Sequence, residues 1–99
     1  MVKYMVLKVF SHPYENIQPC EYDGKTVFGS IGEAKDALSQ SLLDFVNELG
    51  LGVKDLANMI AREEIRMALN WYSTNTSEVG RLYIDAERQV EWRIMRIEI

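Results

Sequence analysis

Ninety-nine residues, 47% of them apolar, make one domain able to bury roughly two thirds of its unfolded surface without staples. The single cysteine excludes an internal disulfide, and a net charge of −4 with no clustered lysines or arginines excludes a concentrated phosphate-binding tract. No uncharged apolar run approaches the ~20 residues of a membrane helix, so a cytoplasmic protein without membrane association is expected.

The opening MVKYMVLKVF is interrupted by Lys8 and followed by no small-residue cleavage site, so it reads as a strand and not as a leader. Val2, Tyr4 and Val6 share one parity, whereas Met5, Leu7 and Val9 share the other. A strand has a side-chain period of two, so this one is apolar on both faces over part of its length, as an interior strand is.

Residues 11–24 hold both prolines, the only histidine and the only cysteine. Asp23 and Gly24 form a turn pair that predicts a short hairpin between residues 17–22 and 25–28, with Pro19 confining the first arm to a sheet edge. His12 and Cys20 have the chemistry of a thiolate–imidazole pair, and with Asp23 they are candidate metal ligands. The paired spacing of a structural zinc site is absent, so neither a metal nor another cofactor is expected. The plainer reading is an exposed binding loop presenting Tyr14, Glu15 and Tyr22.

Ser30 and Glu33 have capping-box spacing, and Ile31, Ala34, Leu38, Leu42, Phe45, Val46 and Leu49 come after them on one helical face. Gly50 is placed to end this helix in a left-handed conformation. A short connection leads to a second helix expected over residues 53–72. Val53, Leu56, Ala57 and Ile60 give it one stripe, and Ile65, Ala68, Leu69 and Tyr72 a second stripe rotated from the first. A break near residues 62–64 is one solution; a continuous or gently bent helix is preferred, because no Gly or Pro interrupts it. That helix would carry Glu64 through an apolar face, where burial raises a carboxyl pKa and suits it to acid–base work. The plainer alternative is Glu64 at the helix edge, paired with an arginine.

The polar stretch 73–79 precedes a terminal hairpin of residues 81–84 and 89–99. In its last strand Val90, Trp92 and Ile94 are apolar, then Met95, Ile97 and Ile99 take the opposite parity. This change requires a bulge at Ile94 and Met95, or one strand serving two apolar surfaces. The whole predicts an α+β fold: a single mainly antiparallel sheet in the order β-ββ-α-α-β-β, with the first and last strands as neighbours and an antiparallel helical pair on one face.

No nucleotide loop, triad or metal cluster stands out, and no small-molecule ligand is inferred. The expected function is therefore non-enzymatic docking on a larger protein or on a second copy, as small inhibitors and phage-type accessory proteins do. Ile65, Leu69, Trp71, Tyr72, Met95 and Ile97 are the candidate contact residues, being apolar and aromatic positions left over by the core pattern. A nucleic-acid surface on the outer face of the terminal hairpin, using Arg81, Tyr83, Arg88 and Arg93, is the alternative. A small enzyme using Glu64, or His12 with Cys20, is the third.

Overall fold

The computed structural model describes residues 1–11, 15–73, 75–85 and 89–99. Strands β1 (Val2–Phe10), β2 (Asn16–Pro19), β3 (Arg66–Trp71), β4 (Glu78–Asp85) and β5 (Val90–Glu98) form one antiparallel sheet in the order β2-β1-β5-β4-β3. Helices α1 (Ile31–Glu48) and α2 (Val53–Ala61) supply the second layer. The α+β class and the single antiparallel sheet are those the sequence predicts, and β1 and β5 do pair, from Val2 opposite Glu98 to Phe10 opposite Val90.

The core lies between sheet and helices. Val6, Leu82, Ile84, Val90, Trp92 and Ile94 project from the sheet toward Ala34, Ala37, Leu38, Phe45, Val46 and Leu56. Trp92 is fully buried; its ring meets Phe45 edge-on at 5.6 Å and its indole N–H donates to Ser41 Oγ at 2.8 Å. The buried polar tip therefore has its partner.

Local chemistry sets the helix ends. Ser30 Oγ accepts from Glu33 N at 3.2 Å, and the Glu33 carboxylate reaches back to Gly29 N at 3.1 Å. At the other end Gly50 takes φ 73°, Gly50 N donates to Asn47 O and Leu51 N to Val46 O, a Schellman motif.

Two expectations need correction. The second helix does not run to residue 72: it ends at Ala61, and Arg66–Trp71 is the edge strand β3. Glu63 takes φ 61°, Glu63 N donates to Ile60 O and Glu64 N to Met59 O. This is another Schellman motif, closed by a glutamate where glycine is usual, so no residue type announces it. Glu64 is consequently off any helix, exposed, and paired with Arg62 at 3.2 Å. The second correction is the early hairpin. Asp23 (φ 52°) and Gly24 (φ 73°) do form its tight turn, with Tyr22 and Lys25 hydrogen-bonded in both directions. Its arms then part: β2 joins the edge beside β1, and Phe28 bridges to Tyr4. Pro19 does sit at a sheet edge.

The change of parity in the last strand is resolved by its neighbours. β5 keeps unbroken register with β1, so it serves two surfaces. The irregularity lies on β4, where Glu78 opposes Met95 and Gly80 opposes Ile94, and the extra residue Val79 is fully buried.

Candidate docking edge

At β3 the sheet extends beyond the helices. Met67, Leu69 and Trp71 share the core-side face, opposite Ile84, Leu82 and Gly80 of β4. Beyond α1 they floor an open groove of about 500 Å³, lined also by Lys35, Leu38, Leu42, Ile60 and Leu82. Leu69, Trp71 and Tyr72 are 49%, 44% and 46% exposed, which is high for such side chains on a folded surface.

Trp71 is held in place despite its exposure. Its ring lies over Gly80, where an added Cβ would collide with the indole carbons. Lys35 Nζ sits 4.2 Å from the ring centroid on the groove side. Glycine at position 80 thus makes the platform, and the tryptophan is pre-positioned at little conformational cost.

β3 is the last strand on its side and contains no proline. One row of its backbone N–H and C=O groups therefore has no strand partner among the described residues. The opposite edge differs: β2 has four residues and ends in Pro19, which lacks the N–H a new strand would need.

The structure divides the six predicted contact residues into three groups. Leu69, Trp71 and Tyr72 all lie at the β3 edge, Leu69 and Trp71 on its core-side face beside the groove and Tyr72 on the outer face. Met95 and Ile97 lie on the other face of the sheet, beside Met5 and Lys3 of β1. Ile65 is 4% exposed and belongs to the core, so it offers no contact surface. Met67, Leu42 and Ile60 were missed as lining residues. Met67 alternates with Leu69 and Trp71 at the period of a strand, a signal hidden beneath the helical reading.

The outer face carries Arg81, Tyr83 and Arg93 of the nucleic-acid reading, whereas Arg88 lies outside the described residues. Arg81 is held between Glu78 at 2.8 Å and Glu91 at 3.2 Å, and Glu91 also takes Arg93 at 2.8 Å. The hydrogen bond to Glu78, with the charge of Glu91 behind it, holds the Arg81 guanidinium further above its already high value. In this cluster two arginines meet two carboxylates.

His12 and Tyr14 also lie outside the described residues. Glu15 is exposed, and Tyr22 packs partly against the core. Cys20 is buried, and its thiol donates to Ser41 Oγ at 3.5 Å. Burial pushes its pKa up, against smaller opposing effects of Ser41 and Lys8, so the nucleophilic thiolate is disfavoured. Among the described residues no three His, Cys, Asp or Glu side chains gather to hold a metal ion, and no helix is long and apolar enough to cross a membrane. No family model, curated protein or solved structure matches the chain.

Proposed function

We propose that this chain is a protein-docking module, cytosolic and acting by binding rather than catalysis, which receives an extended segment along the free edge of β3. The observation that supports it is the coincidence of an unpaired strand edge, three half-exposed large apolar side chains and an adjoining apolar groove. In strand addition the main chain supplies hydrogen bonds while alternate side chains enter pockets beside the edge. Here the groove between α1 and β3 is that pocket, and Trp71 is the aromatic anchor typical of an energetic centre. A lone buried thiol suits a reducing compartment. The plan is that of a small inhibitor or accessory protein that acts by occupying another chain.

Selecting random short peptides against the protein, then mapping amide shifts on titration, tests this reading. Enriched peptides are expected to alternate apolar and polar residues and to perturb Arg66–Trp71 together with the groove side of α1. Leu69→Asp should leave the far-ultraviolet dichroism unchanged and weaken binding by about tenfold or more, as loss of a central apolar contact does. No enrichment, or shifts confined to the outer face of β1 and β5, would count against the docking edge. Unfolding of the Leu69→Asp chain would mean that Leu69 belongs to the core.

A further inference from the structure

We infer that the segment received at the β3 edge is the β3 of a second copy, added antiparallel across a two-fold axis through Leu69. The inference rests on the docking reading above and names its partner.

The backbone fixes the phase of this pairing. Tyr72 N donates to Val79 O at 3.0 Å. Antiparallel ladders alternate, so Arg66, Ala68, Asn70 and Tyr72 turn their N–H and C=O groups toward β4, and Met67, Leu69 and Trp71 turn theirs to the free edge. An added strand must oppose outward residues to outward residues. A two-fold normal to the sheet meets that condition, and it keeps both helical layers on the same side.

Three registers are then near at hand, centred on Ala68, Leu69 or Asn70. Centring on Leu69 uses all three outward residues. Leu69 meets the partner's Leu69, and Met67 meets the partner's Trp71, a thioether beside an aromatic ring. On the other face Ala68 opposes the partner's Asn70, and Arg66 opposes the partner's Tyr72, a cation against a ring. Centring on Ala68 would pull the buried Ile65 out to meet the partner's Trp71, and centring on Asn70 would set Met67 against the partner's Ser73. Only the Leu69 register sets all three outward apolar residues against apolar partners while leaving Ile65 in the core.

Charge and topology agree with this choice. β3 carries one charged residue, Arg66, and the two-fold puts the two copies at opposite ends of the seam. A head-to-tail arrangement would require β3 to pair with β2, where Pro19 and the four-residue length stand in the way. The closed two-chain assembly is left as the solution, with β2 at both ends of a continuous sheet. On a scale of roughly 150–250 Å² per aromatic side chain, half-exposed Trp71 and Tyr72 supply about 100 Å² each per protomer. With Leu69, Met67 and the strands added, the total approaches the ~1,000 Å² at which specific association begins, so the dimer should dissociate on dilution.

Light scattering and disulfide trapping together test this. The solution mass should rise from one chain toward two as concentration increases to about 1 mM, and Leu69→Asp should hold it at one. In a Cys20→Ser background, Ala68→Cys and Asn70→Cys chains should cross-link when mixed and neither should cross-link alone, because the opposed pair is of the close, non-hydrogen-bonded kind. Cross-linking by Ala68→Cys alone or by Asn70→Cys alone would overturn the register. A monomer at every concentration that still binds selected peptides at β3 would overturn the second copy and leave the docking reading standing. A dimer that persists in Leu69→Asp and traps at neither position would overturn both.

Discussion

Glu63 occupies a conformation that costs an L-residue roughly 1 kcal/mol, at a point where the chain leaves α2 and turns into β3. The turn offsets that cost by delivering Ile65 into the core and setting Met67 opposite Ile84. Nothing in the geometry requires the glutamate side chain itself. Glu63→Gly is therefore expected to stabilise the fold by about 1 kcal/mol, raising Tm by about 4–8 °C for a domain of this size, with the sheet unchanged. Thermal unfolding followed by dichroism measures this; a fall in Tm would show that Glu63 makes a contact outweighing its strain. Cys20 gives a second residue-scale expectation. Its pKa is raised in the fold by burial, so folding favours the neutral thiol. The contribution is fully present below the unfolded thiol pKa of about 8.5 and is lost as pH rises through the higher folded value. Denaturant titrations should thus show stability falling as pH rises from the unfolded thiol pKa through the higher folded value, and Cys20→Ala should flatten this part of the profile. Equal slopes in the two chains would remove Cys20 as the cause.

At the scale of elements, the platform under Trp71 is the sensitive joint. A methyl group at position 80 collides with the indole, so Gly80→Ala must swing Trp71 off β4 or push the strands apart. Tryptophan fluorescence should shift, and peptide binding at β3 should weaken about tenfold if Trp71 is the anchor we propose. Unchanged fluorescence and affinity would mean that the ring has room to slide without consequence. The same region shows where sequence reading reaches its limit. α1 was legible because Ser30, Glu33 and Gly50 announce both ends, and the pairing of β1 with β5 was legible from their two-sided apolar pattern. β3 was not. Its Met, Ala and Leu are good helix formers, and the signal to stop lay in a left-handed glutamate with no Gly or Pro nearby. Tertiary pairing with β4 overrides that propensity. The candidate edge was half legible for the same reason. Leu69, Trp71 and Tyr72 stood out as surplus apolar residues under either reading, whereas Ile65 was misassigned and Met67 overlooked because both depend on strand phase.

For the whole molecule, the arrangement separates two faces of different character. The helical layer covers the centre of the sheet and leaves β3 open, so the docking we propose falls at an edge. The uncovered face joins Glu78, Arg81, Glu91 and Arg93 in one chain of ion pairs beside Met5, Met95 and Ile97. The unbroken pairing of β1 with β5 has a separate consequence, for the order in which the fold can assemble. β1 and β5 are neighbours in the sheet although residues 11–89 separate them, and Met1 and Ile99 exchange hydrogen bonds. That ladder must therefore close a long loop before it returns any stability, which places folding among the slower, non-local class. Until β5 arrives, β1 and β4 are both unfinished edges, and a chain still emerging from synthesis exposes the very ladders that the finished protein keeps to itself.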